Sequence, residues 1–174
     1  MNNMQNIVRI LKHDGIGILP TDTLYGVVGS AFSKKAVARL YRVRKRDTKK
    51  PCIILISSMH DLNRFGIKID ARLHLALNQL WSGPISIIFP CPHKRFSYLH
   101  RGTKTLAFRM PKPIWLRALL KKTGPLLAPS ANIEGKKPAR TIKEARAYFG
   151  SRVDFYVDRG TLSGKPSIIL EIKR

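Results

Sequence analysis

The chain has 174 residues, 44% of them hydrophobic and 25% charged, which suits one folded unit (1–174) with its own core and leaves little room for two. Lysine and arginine number 33 against 10 aspartate and glutamate, a formal net charge of +23, so the expected partners are polyanions: nucleotides, nucleic acid or anionic lipid. Two cysteines, Cys52 and Cys91, are too few for a disulfide framework and indicate a reducing, cytoplasmic setting. Arg9 and Lys12 interrupt the N-terminal apolar residues, and no later run approaches the roughly 20 needed to span a membrane, so a soluble, unexported protein is expected.

Met4, Ile7, Val8 and Leu11 recur at helical spacing, and Gly15 ends the pattern. Ile16-Gly-Ile-Leu19 reads as a buried strand emptying at Pro20 into the loop Thr21-Asp-Thr-Leu-Tyr-Gly26, with residues 27–31 a second strand. Ser33 can cap a helix whose buried face is Ala36, Val37, Leu40 and Tyr41. That helix runs into the basic stretch Arg42-Val-Arg-Lys-Arg-Asp-Thr-Lys-Lys-Pro51, and Pro51 marks where it must be over. Residues 52–56 form a β-branched apolar strand, followed by helical segments at 59–65 and 71–80, the second capped by Asp70. Strands are expected at 85–89 and 105–110, and a helix opens at Pro113 and runs to Lys122. A short strand at 126–128 leads to the polar loop Pro129-Ser-Ala-Asn132, a capping box at Thr141 to Glu144 opens a helix ended by Gly150, and strands at 153–157 and 167–172 finish the chain. Interleaved helices and strands argue an α/β or α+β sheet with helices packed on it.

Several chemistries are excluded by spacing. Gly160-Thr-Leu-Ser-Gly-Lys165 has three residues where a phosphate-binding Walker loop needs four, and no Gly-x-Gly-x-x-Gly occurs. Cys91-Pro-His93 lacks the second pair of ligands that a structural zinc site requires. Acidic residues are too scattered for a paired-carboxylate hydrolase. The loop 20–26 admits two readings: a capping turn whose Thr and Asp side chains bond nearby N–H groups, or hydroxyls facing a ligand at the carboxyl end of a buried strand. Ser130 lacks a nearby His and a Gly-x-Ser-x-Gly setting, so it suits a hydrogen bond to an anion better than nucleophilic attack. Arg109 lies inside the apolar run Leu106-Ala-Phe-Arg-Met110; it either faces solvent from a half-exposed strand or is buried with its fork aimed at a carboxylate or phosphate.

Six segments in order, Pro20 to Gly26, the basic run ending Lys50-Pro51, Trp81-Ser-Gly-Pro84 with Phe89-Pro90, Leu106 to Pro111, Pro129 to Asn132 with Gly135, and Lys165-Pro-Ser167-Ile-Ile, resemble the YrdC-like family over nearly the whole chain. The resemblance implies a twisted, open mixed α/β sheet with flanking helices and a concave basic cavity, in the short form of the family. It implies synthesis of threonylcarbamoyl-adenylate and pyrophosphate from L-threonine, bicarbonate and ATP with Mg²⁺, toward N6-threonylcarbamoyladenosine at position 37 of tRNA, alongside the other proteins of that pathway. By motif position Thr23, Arg109 and Ser167 match the threonine-binding residues, and Arg44, Arg46, Lys50, Ser130 and Asn132 the ATP-binding ones. No general base is evident, which suits catalysis by positioning and electrostatics. The chain departs from the family pattern at Arg44, Asp47, Leu55 and Ile168. The alternative expectation is an RNA-binding module, for tRNA or double-stranded RNA, on the same fold, since basic clusters recur at 42–50, 94–104, 121–122 and 136–140.

Overall fold

Because side chains alternate along a strand, each strand of this protein can feed two apolar layers at once. The computed structural model, which describes residues 3–171, has eight strands: β1 (Ile16–Pro20), β2 (Tyr25–Ser30), β3 (Ile54–Leu55), β4 (Ile85–Pro90), β5 (Thr105–Arg109), β6 (Leu126–Leu127), β7 (Phe155–Tyr156) and β8 (Ile168–Glu171). They form one mixed, open sheet in the order β7-β1-β2-β6-β3-β5-β4-β8. Ile18, Val27, Ile54, Phe108 and Leu127 enter the larger core cluster, while their chain neighbours Leu19, Val28, Leu55 and Leu126 enter the smaller one. The flanked, open mixed sheet expected from the sequence is therefore the architecture of the protein.

Helices cover both faces. On the smaller cluster lie α1 (Asn3–Lys12), through Ile7 and Leu11, and α5 (Ile114–Thr123), through Leu116, Leu119 and Leu120. On the larger lie α2 (Lys34–Arg44) and α6 (Ile142–Phe149), where Phe65 stacks against Phe32 and meets Phe96 and Phe108. α3 (Ala71–Leu80) offers Leu77 to the same cluster. Ser33, Asp70 and Thr141 accept the N–H of Ala36, Leu73 and Glu144 as caps, satisfying donors that would otherwise be unpaired. Among the described residues no helix is long and apolar enough to cross a membrane.

Several details differ from or refine the sequence reading. α2 ends at Arg44, well before Pro51, because Lys45 turns left-handed (φ 49°) and its N–H returns to Arg42 and Tyr41 carbonyls. The apolar runs at 52–56 and 153–157 contribute only two ladder residues each. The segment 59–65 is a 3₁₀ helix. A short helix, α4 (Ser97–His100), stands in the basic stretch after β4, where no apolar period signals it. Of the last expected strand, Ile172 lies outside the described residues.

Gly17 is required by a close approach: a Cβ there would fall 2.3 Å from the ring of Phe155 on β7. The same edge is tied by Asp154, whose carboxylate accepts the Ile16 N–H at 2.8 Å and both ends of the Arg39 fork at 2.5 and 2.8 Å. Burial raises the proton affinity of Asp154, but Arg39 and the Ile16 N–H outweigh it and hold the group below its ordinary value. A depressed folded-state pKa stabilises the fold above the unfolded value, near 3.9, and that contribution is lost as pH falls through the folded-state value. Urea unfolding across pH 2–7 should show a steeper acid-side loss of stability for the wild type than for Asp154→Asn; parallel curves would mean the ion pair adds nothing.

Candidate active site

Phe108 points into the larger cluster, so the next residue of β5, Arg109, projects to the opposite face of the sheet. There its guanidinium is 4% exposed, and a charge so placed requires partners. Nη2 lies 3.5 Å from Asp22 Oδ1, and Nη1 donates to Thr23 Oγ1 at 3.2 Å. Nε has no protein partner among the described residues, so the fork retains an unused donor. Burial makes this guanidinium hold its proton less tightly than usual, opposed by Asp22. The sequence left Arg109 open between surface and pocket; it is in the pocket.

The loop that meets it is organised by Thr21. Thr21 Oγ1 donates to Leu24 O at 2.8 Å and accepts the Thr23 and Leu24 N–H groups. With its only proton engaged there, Thr21 must accept from Thr23 Oγ1 at 3.0 Å, leaving Thr23 as acceptor for Arg109. A directed chain Arg109 to Thr23 to Thr21 to Leu24 thus sets which lone pairs face a ligand. Both readings of the loop hold together: the turn is self-capped, and its hydroxyls line a cavity.

That cavity measures about 180 Å³ and is walled by Thr21, Thr23, Gly26, Arg109, Ser130 and Ser167, with Ile53 and Ile169 among its apolar surfaces. Drug-sized ligands occupy roughly 300–1,000 Å³, so this volume admits a small polar molecule. Ser130 is brought there by pairing of its loop with β2: Ala131 N donates to Tyr25 O and Val27 N to Pro129 O. Ser167 lies 3.0 Å from Ser86 Oγ, on the segment that crosses the cavity before β8. Tyr25 holds that segment, its hydroxyl donating to Gly160 O and accepting the Arg159 N–H. A wider depression of about 530 Å³ near Arg9 and His13 is open, and its Arg39 and Asp154 are already paired with each other.

The remaining expected residues lie outside the cavity. Asn132 is 7% exposed and its amide is used internally: Oδ1 accepts from Ser130 Oγ (2.7 Å) and Arg44 Nη2 (3.0 Å), while Nδ2 donates to Ile133 and Lys136 carbonyls. Asn132 therefore aims Ser130. Arg44 is 2% exposed and stands behind Asn132, bonding its carbonyl as well; burial brings its guanidinium down to about 10, still charged at neutral pH. Arg46 and Lys50 sit on the adjoining loop, outside the cavity walls. Of the departures, Leu55 is buried in the smaller cluster and Ile168 is exposed on β8. Among the described residues no group of three or more His, Cys, Asp or Glu side chains is placed to hold a metal ion.

Ser86 and Gly164 escape sequence reading, as does the pairing of Asp22 with Arg109. Asp22 had a signal: a buried Arg109 demands a carboxylate, and Asp22 is the acid in the matching loop. Gly164 had none, because its role is a contact across the fold; a Cβ there would lie 2.3 Å from Thr23 O and 2.9 Å from Thr23 Cα.

The Sua5/YciO/YrdC family model, described as telomere recombination, matches residues 9–174. Threonylcarbamoyl-AMP synthase of Coxiella burnetii is 29% identical over 153 residues, covering 87% of this chain and 82% of that protein. The Bacillus subtilis protein of the same name is 30% identical over 154 residues, 87% of this chain and 44% of its own. Among solved structures, P. abyssi Sua5 complexed with L-threonine superposes with a TM-score of 0.89 at 24% identity, covering 97% of this chain and 50% of that one. E. coli YciO gives 0.85 at 21% identity, covering 98% and 84%. These two structures share the fold. The chain spans about half the length of the P. abyssi and B. subtilis proteins.

Substituting Gly164→Ala should lift the segment 160–167 off Thr23 without unfolding the sheet. Amide hydrogen exchange at 21–24 and 160–167 is expected to accelerate by about tenfold or more, while the global urea midpoint moves little. Unaltered exchange in both segments would show that the close approach does not order the loop.

Proposed function

The chain belongs to the Sua5/YciO/YrdC family, and from that membership we propose that it is a threonylcarbamoyl-AMP synthase, a nucleotidyl-transferring enzyme of tRNA N6-threonylcarbamoyladenosine formation. The observation that carries the reading is the buried Arg109 fork, held by Asp22 and Thr23 with one donor unused, in a cavity sized for an amino acid. A planar guanidinium suits a carboxylate, and Thr23, Ser130 and Ser167 supply hydroxyls around it. Threonine's carboxylate on Arg109 leaves its amine free to take up bicarbonate as a carbamate, with loss of water. A carbamate oxygen then attacks the α-phosphorus of ATP, the phosphoanhydride bond breaks, and pyrophosphate leaves with the bond's electron pair.

The cavity is too small for the nucleotide as well, so ATP lies toward the open basic side. Ser130 borders that side from the cavity rim, and the loop of Arg46 and Lys50 adjoins it. Arg44 and Asn132 act from behind by orienting Ser130. Mg²⁺ comes with ATP as part of the substrate and shields the triphosphate from the incoming anion. Positioning and charge neutralisation then supply the catalysis without a protein general base.

The test is release of pyrophosphate by purified protein with Mg²⁺-ATP and bicarbonate, which should depend on L-threonine. Arg109→Lys should lower kcat/KM for threonine by about 30-fold or more, the cost of truncating a buried charge-paired group, and Arg46→Ala should raise KM for ATP. Pyrophosphate release that is indifferent to threonine would sink the assignment.

A second reading, direct binding of tRNA or double-stranded RNA, is favoured by the exposure of Arg42, Lys45, Lys94, Arg95, Lys121, Lys122, Lys136 and Lys137 on separate parts of the surface. Such contacts release counterions, so the logarithm of the binding constant should fall with the logarithm of salt at a slope near −0.9 for each phosphate contacted on a duplex. Titration of tRNA between 50 and 200 mM salt, roughly the range over which several contacts change affinity by orders of magnitude, would give that slope; a flat response would remove the reading.

A further inference from the structure

Neither half-buried Arg46 nor exposed Lys50, the loop cations expected to hold the nucleotide, is idle. Arg46 donates from Nε to Lys50 O at 3.2 Å and from Nη2 to Pro51 O at 3.0 Å, bracing its own loop. Lys50 Nζ donates to Glu134 Oε1 at 2.8 Å. The other oxygen of that carboxylate accepts the backbone N–H of Asp47, and the Glu134 N–H returns to the carbonyl of Arg44. Glu134 is two residues past Asn132, on the loop whose Ser130 lines the cavity. One carboxylate is thus clasped by an ammonium and a backbone N–H, with Arg46 close enough to help hold it ionised, after the Lys50 and Asp47 hydrogen bonds. This is the donor set that binds phosphate oxygens in other proteins.

The clasp is built for exchange. The Lys50 side chain is 59% exposed and that of Glu134 27%, and ion pairs so wetted are weak and screened. A triphosphate carries several times the charge of one carboxylate and outcompetes it for the ammonium. The Asp47 N–H is a neutral donor, so the second half of the clasp can stay in place.

We propose that Glu134 is an internal stand-in for phosphate: Oε2 keeps the loop 45–51 folded through Asp47, while Oε1 holds Lys50 until a polyphosphate ligand displaces it. Glu134 thereby sets how much negative charge a ligand needs to recruit Lys50. The inference rests on the reading of this side of the site as the nucleotide side.

The test is calorimetric titration of inorganic triphosphate, and separately of ATP, into wild type, Glu134→Gln, Lys50→Met and the double variant at low ionic strength. Glutamine keeps an oxygen for the Asp47 N–H and removes the competing charge, so both ligands should bind roughly two- to fivefold tighter. In the Lys50→Met background the same substitution should have little effect. Amide exchange at Asp47 checks that the loop stays folded in Glu134→Gln. Binding that is unchanged or weaker in a folded Glu134→Gln protein, or tightening that persists undiminished without Lys50, overturns the proposal. Tighter triphosphate binding without threonine-dependent pyrophosphate release keeps the stand-in and removes the synthase; pyrophosphate release with no Glu134→Gln effect on binding does the reverse.

Discussion

Burial of the Arg109 guanidinium is the constraint from which the site follows. An unpaired charge at that depth would cost several kcal/mol, so the loop between β1 and β2 must deliver an acid and an acceptor to one point. It does so through Thr21, whose hydroxyl closes the turn and leaves Asp22 and Thr23 directed at Arg109. Lys112 N donates to Asp22 Oδ2, which joins the loop to the segment after β5. Asp22 neutralises the cation only in part, since their closest approach is 3.5 Å and Nε is without a partner. Among the described residues one donor of the fork is thus left for a further acceptor.

The buried cavity and the exposed rim divide the electrostatic work. In the cavity Arg109 is buried with its fork fixed by Asp22 and Thr23, where a charge interacts more strongly than in bulk water. On the rim Lys50 is exposed and Arg46 half-buried, so each charge is more screened and must be supplied in number. Arg44 and Asn132 connect the two zones: Arg44 is the last residue of α2, and its fork grips the loop that carries Ser130. The basic loop that begins at Lys45 thus follows directly on a residue bonded to the loop of the cavity wall.

What sequence could show was local or motif-borne. The caps Ser33, Asp70 and Thr141 and the buried faces of the helices follow from short-range rules, and the structure has them. The end of α2 did not, because Lys45 adopts a left-handed backbone that the usual signals reserve for glycine or asparagine. Thr23, Arg109, Ser130 and Ser167 are legible as a group from motif order, and they share one cavity. Arg44 is instructive. Ala36, Val37, Leu40 and Tyr41 mark the inner face of α2, and the next step of the same period, four beyond Leu40, is Arg44; helical phase already places it inside, while the motif match pulls the reading toward the ligand. Gly164 and Glu134 depend on contacts between distant segments, which no local pattern encodes.

Carboxylates are scarce in a chain of net charge +23, and where they stand explains the rest of the surface. Asp22 meets Arg109, Asp154 clamps Arg39 to the start of β1, and Glu134 clasps Lys50 and Asp47. Asp47, Asp61, Asp70, Glu144 and Asp158 each accept at least one backbone N–H at a turn or helix start. Eight of the ten acids are therefore engaged in holding backbone or a buried cation in place, and only three of them, Asp154, Glu134 and Asp61, also pair with a partly exposed arginine or lysine. The positive field is largely uncompensated: the acids are spent on organising the fold, and most exposed cations have no carboxylate beside them among the described residues. At Lys50 the two uses meet in one residue, which is held by an acid of the protein and still leaves most of its side chain exposed.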